Sequence, residues 1–245
     1  MASGSPALVA PLVAPLVAPR ANVLETVARI VELGGGLHRR DAVGAMRARF
    51  EARTGAFAPE DAWFEERSRA FWDDAVTRER FGRAVATELA PGQRAWLGPL
   101  ERAHRGLFRV EVETAGRKLV DVWSGAEVLP TNVDEGSAAE LDASSGQLVD
   151  ARVVGAEDPL VLALLPGAVF HPRHATPAIE PVLAAARAKD LSTDDTLDAL
   201  LRMERSLRAL SRVKAAYAYR PEALAPPDAH GAASLPVRRA AKGPT

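Results

Sequence analysis

The stretch that decides the fold begins with LFRVEVE at residues 107–113 and continues with LVDVW at residues 119–123. In the first run, apolar and charged residues alternate, and this period of two is typical of a half-buried strand. Ala115-Gly116 lies between the two runs and predicts a turn. Together the two runs predict a β-hairpin.

Further strand-like runs follow the hairpin, namely EVL at 127–129, QLVDARVVG at 147–155 and LVLALL at 160–165. Five short antiparallel strands at this spacing predict a small curled sheet or partial barrel. Because LVLALL is apolar throughout, we expect it to be a central strand, buried on both faces. Residues 130–146 are acidic and rich in serine and glycine, so we expect a mobile loop there.

Helical patterns flank the sheet on both sides, which makes the predicted fold class α+β. It has an N-terminal helical segment, a central small antiparallel β-sheet or partial barrel, two C-terminal helices and disordered ends. The predicted boundaries are a Pro/Ala-rich leader at 1–20, a helical segment at 21–105, the sheet with its C-terminal helices at 106–218, and a disordered tail at 219–245. The leader repeats LVAP, and proline at every fourth place excludes a helix, hence a membrane span.

The helical segment separates its charges along the chain. Residues 39–53 are rich in arginine, whereas the next helix, from Pro59, is rich in aspartate and glutamate. We expect these helices to pair antiparallel and neutralise each other. The alternative is a nucleic-acid interface built on Arg39, Arg40 and Arg47.

The last predicted helix, which starts at Ser192, has two opposite stripes. Leucines occupy one side, and the other side carries Arg202, Arg205, Arg208 and Arg212. The spacing predicts an amphipathic helix whose arginines face solvent. The alternative is that these four arginines bind a partner.

The sequence His171-Pro-Arg-His174 follows the last strand and precedes a helix. His171, Arg173 and His174 are candidate ligands for an anion, together with the free N–H groups at the start of the helix. A metal site is less favoured, because Pro172 prevents a helical frame for the two histidines and Arg173 repels a cation.

The composition excludes several classes of function. The chain of 245 residues carries a formal net charge of −1, so the whole molecule has no field that would recruit nucleic acid or an anionic membrane. It has no cysteine, and hence no disulfide, thiol nucleophile or cysteine-ligated metal. The sequence contains no phosphate-binding loop, dinucleotide fingerprint or hydrolase signature. No cofactor is predicted.

The absence of catalytic motifs favours a cytoplasmic bacterial protein that works by binding another protein, as an adaptor or regulatory component. The high alanine and arginine content, with four lysines only, is the basis for the bacterial origin. A nucleic-acid-binding regulator that uses the arginine-rich helices is the first alternative. The second is a metal- or anion-binding enzyme centred on His171 and His174.

Overall fold

The computed structural model describes residues 22–113, 116–157, 160–210 and 213–225. Its longer helices are α1 (Val23–Gly34), α2 (Arg40–Thr54), α3 (Phe64–Thr77), α7 (Glu135–Ala143), α8 (Thr176–Ala188) and α9 (Thr193–Ala209). Its shorter helices are α4 (Phe81–Ala84), α5 (Pro91–Arg94), α6 (Leu97–Glu101) and α10 (Ala215–Ala218). Its strands are β1 (His104–Glu113), β2 (Gly116–Asp121), β3 (Glu127–Val128), β4 (Leu148–Glu157), β5 (Leu160–Leu164) and β6 (Val169–Phe170). The predicted α+β class is confirmed.

The strands form one antiparallel sheet in the order β3-β2-β1-β4-β5, with β6 also paired to β4. The sheet curls because the segment after β3 reaches the far edge of β5. There the Thr131 N–H donates to Leu162 O at 2.8 Å, the Leu164 N–H donates to Asn132 O at 3.0 Å, and Asn132 forms a parallel bridge with Ala163. The predicted curled sheet or partial barrel is therefore confirmed.

The prediction that residues 160–165 form a central strand is wrong, because β5 lies at the end of the strand order. The strand is nevertheless buried on both sides. Ala163 and Leu165 pack with the N-terminal helices, whereas Leu164 points into the interior of the curl. A continuous apolar run indicates two buried faces, and here the helical layer supplies the second one.

The prediction of a mobile loop over residues 130–146 is also wrong, because Glu135–Ala143 is the helix α7. Asp134 caps it by accepting a hydrogen bond from the Ser137 N–H at 3.0 Å. Leu141 is fully buried in the interior of the curl. One large apolar residue in a short helix makes no periodic pattern, and therefore the helix was not predicted.

Three apolar clusters hold the layers together. The N-terminal helices pack on one face of β4 and β5, the interior of the curl is filled around Phe108 and Val149, and α8, α9 and α10 pack around Leu107 and Leu148. The helix α9 contacts α2 on one side and β1, α8 and α10 on others. It is thus packed against several elements, and the candidate site lies between α9 and these neighbours.

The described chain extends past the predicted start of the disordered tail at residue 219. Residues Pro221–Leu224 form a short 3-10 helix, and Leu224 is buried. Arg202 of α9 donates to Leu224 O at 3.2 Å and to Ala225 O at 3.4 Å, which holds this segment against α9. The predicted leader at 1–20 and the rest of the predicted tail lie outside the described residues.

Candidate partner-binding groove

The helical pattern predicts that the polar side of α9 faces solvent, but at Asp198 this side faces α2 and β1. Asp198 accepts hydrogen bonds from Arg53 Nη1 of α2 at 2.9 Å and from Arg105 Nη1 of β1 at 2.7 Å. Arg105 also holds Asp150 of β4 through two nitrogens, at 3.0 and 2.7 Å. Burial alone would raise the pKa of Asp198, but these two arginines hold it below its ordinary value.

The same network continues into α3 and β4 through Asp74. Its carboxylate accepts from Arg53 Nη2 at 2.6 Å and from Arg152 Nη2 at 2.7 Å. Three arginines and three aspartates therefore alternate in a buried network that joins α2, α3, α9, β1 and β4 (Arg53, Arg105, Arg152, Asp74, Asp150 and Asp198). The predicted mutual neutralisation of the basic and acidic helices is confirmed at Arg53–Asp74. Arg49 of α2 pairs with Glu79, which follows α3.

A groove of about 570 Å³ runs along the C-terminal half of α9. Its walls come from α9, α10 and the chain that follows α10, and Gly55 lies at its margin. Small and apolar residues form much of its lining, and three arginines project among them (Arg202, Met203, Arg205, Ser206, Ala209, Leu210, Tyr217, Ala218, Arg220, Ala223 and Ala225).

Arg205 is a half-buried cation of this groove that lacks a counterion. Among the described residues it forms no hydrogen bond and no ion pair, and its Nε is buried without a partner. Gly55, at φ +92°, allows this placement: a Cβ there would lie 3.0 Å from Arg205 Cδ. Arg220, also on the lining, is exposed and has no ion pair in the described part of the chain.

The apolar side of the groove is accessible to a ligand. The Leu210 residue is 42% exposed and the Tyr217 residue is 69% exposed. Both line the groove beside Arg205 and Arg220. The groove can therefore offer a guanidinium and an apolar contact to the same bound segment.

A second cavity of about 590 Å³ adjoins the groove and shares Arg202 and Ala225 with it. Arg202 lies between the two and is bonded to backbone carbonyls, including Leu224 O at 3.2 Å. Lys189, Leu191 and Asp195 line the second cavity. The two spaces together follow α9 from Asp195 to Leu210. That is about 22 Å of helix at about 1.5 Å per residue.

The four arginines predicted to bind a partner have different surroundings. Arg202 and Arg205 line the groove. Arg208 instead turns towards α3, where it binds Glu66 at 2.8 Å and also pairs with Glu204. Arg212 lies outside the described residues.

The predicted anion site at the end of the sheet is divided between interior and surface. His171 is fully buried, with Nδ1 2.8 Å from the Tyr219 hydroxyl, and its Nε2 has no hydrogen-bond partner. Burial lowers its pKa to about 4. Arg173 and His174 are exposed, and Arg173 Nη2 donates to Ser145 O at 2.7 Å. The structure therefore does not present the three side chains on one surface.

Most of the arginines that the sequence offered for nucleic-acid binding form contacts within the protein. Arg39 pairs with Glu88 and donates to Leu33 O at 2.9 Å. Arg47 pairs with Glu51 at 2.7 Å, and its guanidinium lies 4.4 Å from the centre of the Phe57 ring. Arg40 is exposed.

Two of the groove residues, Tyr217 and Arg220, were not among the candidates from sequence. Tyr217 lies at the end of the last predicted helix, and Arg220 falls within the predicted tail at 219–245. A signal was present, because tyrosine and arginine are both enriched at protein–protein interfaces. The position of the chain after α10 against α9 was needed to recognise it.

In the described part of the chain, no group of three or more His, Cys, Asp or Glu residues could hold a metal ion. No helix among the described residues is both long and apolar enough to cross a membrane. Comparison of the chain with protein-family models, with curated proteins and with solved structures gave no match.

Proposed function

We propose that this chain is a non-catalytic binding protein, an adaptor or regulatory component, which takes an acidic segment of a partner protein into the groove along α9. The observation that supports this most directly is Arg205, whose Nε is buried without a partner inside an apolar groove. An unpaired, half-buried guanidinium is costly, and a carboxylate from a partner would offset that cost.

The groove favours a protein segment over a small molecule. Exposed Leu210 and Tyr217 suit an apolar side chain of the partner, while Arg205 and Arg220 suit its carboxylates. The groove follows α9 from Arg202 to Leu210, about 12 Å of helix, which corresponds to roughly four residues of extended chain at about 3.3 Å per residue. The partner segment is therefore short, acidic and anchored by one bulky apolar residue.

The charge of the chain's own C-terminal sequence does not suit the groove. Residues 226–245 contain one acidic residue, Asp228, and three basic ones, Arg238, Arg239 and Lys242, which is a net charge of +2. A basic segment would be repelled by Arg205 and Arg220. Charge complementarity therefore favours a different, acidic protein segment.

The other functions predicted from sequence have weaker support. A nucleic-acid interface needs free arginines, whereas Arg39 and Arg47 are bonded within the molecule. An enzyme centred on His171 needs access to that side chain, which is fully buried. The groove along α9 offers both access and unpaired charge.

The test is a selection of random eight-residue peptides displayed on phage against the full chain. We expect enriched peptides to combine two or more Asp or Glu residues with one Leu, Phe, Trp or Tyr. Affinity of an enriched peptide is then measured by fluorescence anisotropy. Arg205→Glu and Arg220→Glu should each weaken binding about tenfold or more, since each replaces an attraction with a repulsion.

The matched control is Arg40→Glu, which makes the same charge change at an exposed arginine of α2 outside the groove. It should leave the affinity within about twofold of the wild type, since distant surface charges are screened by salt. Enrichment of peptides without acidic residues would contradict the proposal. So would equal affinities of the Arg205→Glu and Arg40→Glu variants, each confirmed as folded by thermal unfolding.

A further inference from the structure

A separate cavity of about 350 Å³ lies at the start of α9 and has a different character from the groove. Its lining is dominated by polar and charged residues from α3, α6, β1, β4 and α9 (Thr77, Arg78, Glu101, Ala103, His104, Arg105, Arg152, Thr193 and Asp194). Small-molecule sites in proteins begin at about this volume, roughly 300 Å³.

His104 is fixed at the edge of this cavity by a buried carboxylate. Its Nε2 lies 2.8 Å from Asp121 Oδ2, and Asp121 Oδ1 accepts from the Trp123 and Ser124 N–H groups at 2.7 and 2.9 Å. Gly106 makes room for this contact, because a Cβ there would lie 2.7 Å from Asp121 Oδ2. The imidazole is therefore oriented in advance, and no residue in the described part of the chain bonds its Nδ1.

Two arginines of the cavity have donors left over. Arg152 is about nine-tenths buried and uses Nη2 on Asp74, while its Nε and Nη1 have no hydrogen-bond partner among the described residues. Arg78 reaches Asp198 only through Nη1, at 3.4 Å. Arg105, by contrast, uses Nε, Nη1 and Nη2 on Asp150 and Asp198 and contributes its charge alone.

The lining has two carboxylates, Glu101 and Asp194, and they differ in the partners that they bind. Glu101 is occupied by Arg83, to which both of its oxygens are bonded. Asp194 is half-exposed and lies 4.0 Å from Arg78 Nη1 and 4.0 Å from Arg105 Nη1, which is beyond hydrogen-bond distance. Asp194 is thus a loosely held anion at the mouth of a cavity with unused donors.

From these contacts we infer that the cavity binds a small tetrahedral oxyanion, either inorganic phosphate or a phosphate monoester. The unused donors belong to Arg78 at the end of α3 and to Arg152 on β4. Nδ1 of His104 on β1 donates only when the imidazole is protonated, because Nε2 already carries the proton that faces Asp121. A phosphate oxyanion accepts several charge-assisted hydrogen bonds at once, and guanidinium groups match its geometry. At neutral pH a monoester carries a charge of about −1.5 to −2, and it would meet the unused guanidinium donors of Arg78 and Arg152.

The test follows the imidazole resonances of His104 by NMR in the full chain, while sodium phosphate is added at constant ionic strength. We expect a saturable shift that sodium chloride does not reproduce. A parallel titration with phosphoserine distinguishes free phosphate from a phosphorylated group. The tighter of the two identifies the source of the ligand, and either one supports the inference.

Three variants separate binding from general effects on the fold. Arg78→Gln should weaken the binding of phosphate about tenfold, the usual effect of losing one charged hydrogen bond. Asp194→Asn should tighten it several-fold, because it removes the competing carboxylate. The control is Arg102→Gln, at an exposed arginine two residues from His104 that does not line the cavity. It should leave the binding unchanged.

The inference is overturned if neither anion gives a saturable shift, or if Arg102→Gln weakens binding as much as Arg78→Gln does. Weaker binding by Asp194→Asn would also contradict it, because a gain is the expected sign. Since Arg205 does not line this cavity, Arg205→Glu should leave the phosphate titration unchanged. The two proposals can therefore fail separately.

Discussion

At the scale of single residues, Gly167 shows how closely the turn before β6 approaches α3. Its N–H donates to the buried Asp73 carboxylate at 2.7 Å. A Cβ at this position would lie 2.5 Å from Arg69 O and 2.7 Å from Ala70 Cα, and both atoms belong to the backbone of α3. Backbone atoms of a packed helix cannot move aside as the end of a flexible side chain can, so glycine is required here by contact.

Gly167→Ala should therefore lower the free energy of unfolding by about 3 kcal/mol, the cost of overpacking a buried site. The matched substitution is Gly44→Ala in the middle of α2, where a Cβ would meet nothing within 4 Å. That change should raise stability by up to about 1 kcal/mol through helix propensity. Urea unfolding of both variants checks the prediction, and the same sign of change in both would contradict it.

At the scale of elements, Asp198 joins α9 to α2 and β1 through Arg53 and Arg105. Both arginines are largely buried, and removal of the shared carboxylate leaves each with one counterion, Asp74 for Arg53 and Asp150 for Arg105, and with a buried donor that has lost its acceptor. Asp198→Ala should therefore lower the free energy of unfolding by about 3 kcal/mol. Glu32→Ala, which breaks the exposed pair Arg29–Glu32 on α1, should change it by less than about 0.5 kcal/mol. Similar costs for the two variants in denaturant unfolding would show that the network does not hold α9 in place.

Local sequence patterns predicted where the helices and strands lie better than they predicted which elements pack against each other. The β1–β2 pairing and the start of α9 at Ser192 are confirmed, because each depends on residues close in the chain. The orientation of α9 was not predictable in this way. The polar stripe of α9 has the pattern of a solvent-facing surface. The residues that it contacts in the structure are far away in the sequence, and Arg53, for example, is separated from Asp198 by 145 residues.

The same limit applies to the candidate site. Arg202 and Arg205 could be named from the spacing of α9, but the spacing could not show that Arg208 turns inward to Glu66. The cavity with His104 and Arg152 could not be predicted at all. It depends on strand register, on the missing Cβ of Gly106 and on the start of α9, which lie far apart in sequence.

At the scale of the whole molecule, two buried groups change the stability over nearly the same pH range but in opposite directions. Burial raises the pKa of Asp73 to about 7, so between about pH 4 and 7 the folded state binds more protons than the unfolded state and stability falls as pH rises. Burial lowers the pKa of His171 to about 4 from its ordinary 6.5. In that window the unfolded state binds more protons, so stability falls as pH falls. The two effects nearly cancel in the wild type.

Single substitutions should reveal each effect. Between pH 6.5 and 4.5, His171→Gln should gain about 2 kcal/mol of stability relative to the wild type, and Asp73→Asn should lose about 2 kcal/mol relative to it. The double variant should follow the wild-type profile. His174→Gln is the control, because His174 is exposed three residues away and should leave the profile unchanged. Urea unfolding at the two pH values measures each difference. If His171→Gln and His174→Gln give the same profile, the imidazole of His171 is not held uncharged in the folded protein.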